Sequence, residues 1–230
     1  MSIVNPLLVY FQAADYDEVL RPLKEIPCDK LILKYMPYPR PHDYAREFFM
    51  QHKEYTHIII HPQDLVVIKE HYFKLVADLE KYDFPSLAGV CNVGKIGPLK
   101  YVWAICMELP TLDRDRRHYN WCPMGKGLGI LDVKFEGNMF NFIRRDVAEK
   151  RMIDGEFVFR GVDNYNGKAS PDLVFAHNCD KLGIPIKVDT DVRMVHLATH
   201  NRIKVGKVPP EVYFERWGEK RLKLNPIIPI

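Results

Sequence analysis

The most constraining feature of the chain is a rhythm in its first 93 residues. Four apolar runs, "LLVYF" (7–11), "DKLILKYM" (29–36), "THIII" (56–60) and "SLAGVCNV" (86–93), alternate with three segments of helical spacing. The runs are rich in Val, Ile, Leu and Tyr, side chains that suit a pleated, half-buried surface. Between them, "HDYAREFFMQH" (42–52) sets Tyr44 near Phe48 and Ala45 near Phe49 on one helix face. "KEHYFKLVADLEK" (69–81) places Tyr72, Leu75, Val76 and Leu79 in one stripe. "DYDEVLRPLKEI" (15–26) reads as a short helix with Pro22 inside it. Such alternation predicts an α/β fold with a central, mostly parallel sheet, right-handed crossovers and flanking helices.

The third run ends in "HPQD". Pro62 cannot donate to a ladder, so it marks the strand's exit. Asp64 then falls just past the C-terminal end of a central strand, where open α/β sheets place their ligands. The plainer reading is an Asp that caps the following turn. His61, at the end of an isoleucine run, reads equally well as a structural histidine.

At 47% hydrophobic and 27% charged residues the chain has ordinary globular composition. A net charge of +3 demands neither nucleic acid nor an acidic membrane. No apolar run approaches the ~20 residues of a membrane span, and no basic segment precedes the first apolar stretch. The five scattered cysteines form no C-x-x-C pair and read as reduced thiols. The expected location is therefore cytoplasmic, with peripheral membrane contact as the alternative.

Beyond residue 93 the rhythm breaks. "YVWAICMEL" (101–109) reads as a strand, but the segment 111–129 is basic, aromatic and Gly-rich, the composition of a functional loop. Its Arg117, His118, Tyr119 and Trp121 are candidates for an acceptor site, or for contact with a nucleic-acid backbone. "SPDLVFAHNCDKLG" (170–183) is a helix with Ser170 as N-cap, Pro171 at its first position and Gly183 just past its end. "IKVDTDVRMVHL" (186–197) reads as the last strand, and strict alternation sends Asp189 and Asp191 to one face of it. The tail "PPEVYFERWGEKRLKL" reads as an amphipathic helix, so the chain divides into 1–200 and a packed tail, 201–230.

Three segments carry a resemblance: "IIIHPQD" (58–64), "EGNMFNFIRRDV" (136–147) and "PDLVFAHNCDKLGIPIKVDTDVRMVHL" (171–197). Their order and spacing resemble the GT-A-type nucleotide-sugar glycosyltransferases, especially the large inverting family. That resemblance implies a GT-A-like fold and transfer of a sugar from a nucleoside-diphosphate donor, UDP- or GDP-linked, to an acceptor hydroxyl. The acceptor could be a glycan, a protein, a lipid-linked molecule or a nucleic acid. It further implies Mn²⁺ or Mg²⁺ held by Asp64 and His196, and Asp172 as general base. Donor binding would fall to Phe11, Gln12, Lys34, Tyr35, Arg46 and Gln63. Pro62 stands where the family's first motif acid would lie, so a degenerate nucleotide-sugar or carbohydrate binding protein is the alternative. Arg144 and Arg145 in "IRRD" are read as a solvated helix start, with a phosphate contact as the other reading.

Overall fold

The computed structural model describes residues 3–37, 40–92, 102–112, 119–123, 125–137, 139–161, 170–197 and 208–226. Its centre is three adjacent parallel strands: β1 (Pro6–Gln12), β2 (Asp29–Lys34) and β3 (His57–His61). Ile58, Ile59 and Ile60 of β3 are all but fully buried, each contributing about 1.5–3 kcal/mol by leaving water. Their β-branching and two-sided burial explain why the isoleucine run is a central strand.

The helices α1 (Asp17–Leu23), α2 (Arg40–Gln51) and α3 (Lys69–Tyr82) arise where the spacing predicts them. Pro22 is accommodated in the last turn of α1, and Asp83 closes α3 in the left-handed conformation. Phe11 of β1 packs on His42 of α2, whereas Tyr72 of α3 packs on Phe142 of the sheet.

The sheet is mixed rather than mostly parallel. Besides β4 (Leu65–Val66) and β5 (Ser86–Cys91), it takes in β8 (Ile130–Val133), β10 (Asn141–Arg144), β11 (Ile186–His196), β12 (Glu211–Glu215) and β13 (Leu222–Leu224). Ten strands among the described residues run in the order β13-β12-β2-β1-β3-β10-β5-β11-β4, with β8 also on β11. β10 lies antiparallel between β3 and β5, and β12 lies antiparallel on β2. Apolar patterning fixes which residues are buried, but chain direction is set by connections, which the pattern does not encode. A smaller sheet, β7-β6-β9, holds β6 (Val102–Cys106) between β7 (Trp121–Pro123) and β9 (Phe135–Glu136).

The tail is a β-hairpin rather than the expected helix. Val212 and Phe214 are buried while Glu211, Tyr213 and Glu215 are only half-buried, a period of two. Gly218, at φ +81, makes the turn between β12 and β13. Two short helices complete the fold: α4 (Arg145–Ala148) and α5 (Pro171–Lys181), with Gly183 following α5 at φ +64. Among the described residues no helix is long and apolar enough to cross a membrane.

Gly89 lets β5 and β11 approach closely. A Cβ there would lie 2.8 Å from the Val192 carbonyl oxygen and 2.7 Å from Met194 Cε. Gly89→Ala is therefore expected to lower stability by about 1–3 kcal/mol through overpacking. The readout is the urea midpoint at unchanged slope, and an unmoved midpoint would refute the close approach.

Candidate functional site

Five strands, β1, β2, β3, β5 and β11, point the same way, so their C-terminal ends share one edge of the sheet. The segment after β3 runs across this edge. The crossing ends where β4 pairs with β11, Leu65 opposite His196 and Val66 opposite Val195. The Asp64 carbonyl accepts the Leu197 N–H at 2.7 Å. Asp64 Oδ2 and His196 Nε2 are thereby brought to 3.3 Å, with side chains 15% and 26% exposed.

The turn under Asp64 is held from below. The Tyr10 hydroxyl donates to the Gln63 carbonyl at 3.2 Å, and His61 Nδ1 lies 2.7 Å from the Pro62 carbonyl. His61 is fully buried between Tyr10 and Phe140 at 5.1 and 5.4 Å. Burial pushes its pKa down to about 4, against the Pro62 carbonyl and the Asp64 carboxylate. Burial raises the Tyr10 hydroxyl well above its usual value, helped by the negative charge of Asp15 and Asp64. Both side chains therefore stay neutral and act as supports.

A second polar cluster forms at the ends of β1 and β2, around Asp15. Its carboxylate accepts from Gln12 Nε2 at 2.5 Å and from the Tyr35 hydroxyl at 2.8 Å, with Lys34 Nζ at 3.6 Å. Tyr35 sits at φ 56 and donates its N–H to the Gln12 carbonyl at 2.8 Å, which turns the ring toward Asp15. Asp15 is the organising residue that sequence reasoning passed over. Its signal was an acid three residues beyond a strand end. Beside the cluster, a cleft of about 920 Å³ opens next to α1 and the hairpin, lined by Gln12, Asp15, Arg21, Lys34, Tyr213 and Arg221.

The other candidate residues are placed differently. Phe11 lies on the α2 side of the sheet against His42, at 4.6 Å. Arg46 is buried, bound to Asp43 at 2.9 Å, Glu47 at 3.0 Å and the Phe159 carbonyl at 3.3 Å, and it lies over the Phe157 ring. It ties the segment 157–161 to α2. Asp172 is buried in the first turn of α5, where one carboxylate oxygen accepts the Leu173 N–H at 3.0 Å. Tyr119 and Trp121 are buried and pack with Phe135, so their rings form no open platform. Arg117 and His118, like "DRD" (113–115), lie outside the described residues.

The segment "IRRD" does open a helix, α4, with Arg144 at its N-cap, but its arginines are engaged within the chain. Arg144 pairs opposite His57, at the start of β3, so "IRRD" sits at the edge of the sheet away from Asp64. Arg145 there clamps the carbonyls of Phe49, His52 and Tyr55, a structural task. Asp189 and Asp191 do not share a face: Asp189 is buried and Asp191 exposed, because the strand is irregular between Val188 and Arg193.

Asp64 and His196 supply one oxygen and one nitrogen donor. Mg²⁺ and Mn²⁺ take one or two protein groups when substrate phosphates and water complete the shell. The imidazole favours Mn²⁺, since Mg²⁺ prefers oxygen ligands. The pair fits such a site in number and chemistry. Among the described residues, no cluster of three or more His, Cys, Asp or Glu groups is arranged to hold a metal.

No family model matches the chain, and no curated protein matches it. Among solved structures, the crystal structure of A197 from STIV is similar over 97% of this chain and 91% of that one. Its TM-score is 0.53 at 14% sequence identity, a likeness of fold alone. The resemblance to the GT-A-type glycosyltransferase family is thereby overturned. No model of that family matches, and a ten-stranded mixed sheet among the described residues stands in place of the mostly parallel one.

Proposed function

We propose that the chain is a transferase that moves a sugar from a nucleoside-diphosphate donor to an acceptor hydroxyl. One observation carries the reading: Asp64 and His196, far apart in sequence, meet at 3.3 Å on the C-terminal edge of the sheet, the edge where α/β folds bind ligands. A divalent cation held there would neutralise the charge that develops on the departing diphosphate. Gln12, Lys34 and Tyr35, organised around Asp15 on the same edge, would hold the nucleoside portion. Asp172 would take the proton as the acceptor oxygen attacks, while the bond from the anomeric carbon to the diphosphate breaks and its electrons leave with the diphosphate. Attack from the opposite side inverts the anomeric carbon.

A second reading keeps the binding and drops the transfer. The proposed cation would have only two protein donors, Asp64 and His196, which suits a site that holds a ligand without turning it over.

Calorimetry with UDP-, GDP- and dTDP-sugars, with and without Mn²⁺, tests both. The expected result is Mn²⁺-dependent binding of one donor, weakened roughly tenfold or more in Asp64→Ala. Absence of binding by any donor would refute both readings. Asp172→Asn should keep donor affinity and lose turnover at least about a hundredfold. Donor binding without turnover in the wild type would select the second reading.

A further inference from the structure

β11 stores extra residues just before it reaches the site. Val188 lies opposite Ala88, and pairing resumes with Arg193 opposite Val90. Five steps on β11 (188 to 193) match two on β5 (88 to 90), an excess of three residues. An ordinary bulge adds one, so this one needs anchors.

Asp189 and Thr190 supply them. Asp189 is fully buried, and its Oδ1 accepts the Asp191 N–H at 2.9 Å. Its Oδ2 forms an ion pair at 3.0 Å with Lys74 Nζ of α3, which also meets Asp78 Oδ2 at 2.7 Å. Burial holds the Asp78 carboxyl above the usual range, with Lys74 opposing the rise and Asp189 adding to it. The Lys74 charge is thus shared by two carboxyl groups. On the other side, the Thr190 hydroxyl donates to the Gly129 carbonyl at 2.9 Å and accepts the Leu128 N–H at 2.7 Å. Only four strand residues follow the bulge, ending with His196 opposite Leu65. A slip of one residue would turn His196 to the other face and present Val195 or Leu197 beside Asp64.

We propose that Asp189 is a positioning residue: its buried carboxylate, anchored to Lys74 of α3, fixes the length of the bulge and so brings His196 to Asp64. The functional weight of this rests on the diphosphate-transfer reading; the positional claim does not.

The test is the ¹⁵N resonance of His196 Nε2 at fixed pH in histidine-labelled protein, assigned with His196→Ala. Asp64→Ala gives the shift caused by losing the contact. Asp189→Ala is expected to move the resonance the same way by at least half as much, with the His57 and His61 signals unmoved. Should Asp189→Ala fail to fold, Asp189→Asn decides. It keeps an acceptor for the Asp191 N–H, loses the charge, and is expected to give a smaller shift of the same sign. A wild-type His196 resonance in the folded variant overturns the proposal. In parallel, Mn²⁺ titration in the presence of UDP, followed by electron paramagnetic resonance, should show roughly tenfold weaker binding in the same variant. A wild type that binds no Mn²⁺ with UDP removes the transfer reading, while the resonance still judges the positioning.

Discussion

Between pH 6.5 and 4 the protein is expected to lose on the order of 8 kcal/mol of stability, driven by three buried histidines. His42 is wedged between Phe11 and Phe159, and burial pushes its pKa down to about 3. Burial, and then Arg144, takes His57 down to about 4, and burial takes His61 to about 4 as well. In the unfolded chain each titrates near 6.5. As the pH falls below that value the unfolded chain takes up protons that the folded one refuses, so stability falls toward the folded values. At about 1.4 kcal/mol per pH unit, each imidazole costs roughly 3 kcal/mol by pH 4. Together they consume much of the ~5–15 kcal/mol that holds a domain folded. The ion-paired carboxylates act lower. Asp146 and Glu149 are held below their ordinary values by Arg144 and by Lys53 with Arg145. Their contribution is complete above the unfolded carboxylate range and fades only as the pH passes through their depressed values. Thermal melts from pH 8 to 4 should therefore show a plateau above about 7 and a decline below 6.5. His61→Asn keeps a donor for the Pro62 carbonyl and cannot charge, so its decline should be shallower by about one proton. A wild-type profile that stays flat down to pH 4.5 would contradict the burial of these rings.

The core around these histidines shows where sequence reading succeeds. Consecutive isoleucines ahead of Pro62 are enough to place β3 in the centre of a sheet, because two-sided burial and the missing N–H leave few other solutions. The spacing of Tyr72, Leu75 and Leu79 likewise yields α3, whose buried residues include those three. Strand direction was not legible. β10 reads as any short apolar strand, and only its pairing with both β3 and β5 shows that it runs against them. The tail was misread because "EVYFERW" satisfies both periods over a short window. The turn at Gly218 and the open side of β2 decide for the hairpin.

At the site, Asp64 and His196 were paired only through a resemblance that does not hold, and the cause of their meeting at 3.3 Å was not legible. The contact depends on a two-residue strand, β4, and on a three-residue excess in β11, and neither has a compositional signature. That excess is why period-two reasoning put Asp189 and Asp191 on one face, when the chain instead buries one and exposes the other. Arg46 was marked as a donor contact by the resemblance and Arg145 as a possible phosphate contact by residue type. Both are occupied by carbonyls and carboxylates of their own chain, a use of guanidinium that local sequence does not distinguish.

Removal of one buried carboxylate should be as damaging as any single core truncation. Glu136 of β9 is 1% exposed and joins three strands. One oxygen accepts from the Asn141 amide of β10 at 2.7 Å, the other from the Met139 N–H at 2.9 Å, and Asn141 in turn accepts from the Ser86 hydroxyl of β5 at 2.9 Å. Glu136→Ala strands two donors in the interior at about 1–3 kcal/mol each and leaves a cavity besides. The expected loss is about 3–5 kcal/mol in denaturant unfolding. Glu136→Gln conserves volume but turns an acceptor into a donor against an N–H, so about half that loss is expected. Ser86→Ala, which removes one donor at the end of the chain of bonds, should cost about 1 kcal/mol. The effect should reach the candidate site, since Met139 Sδ lies 3.0 Å from Cys91 Sγ at the end of β5 and Phe140 walls the His61 ring. Loosening this corner removes the floor beneath the turn that carries Asp64. Glu136→Ala should therefore weaken donor binding as well as stability, whereas Ser86→Ala should leave binding intact. Equal stability losses for the alanine and glutamine variants would show that the hydrogen bonds, not the lost volume, dominate. A loss below 1 kcal/mol in both would mean that the carboxylate does not hold the three strands together.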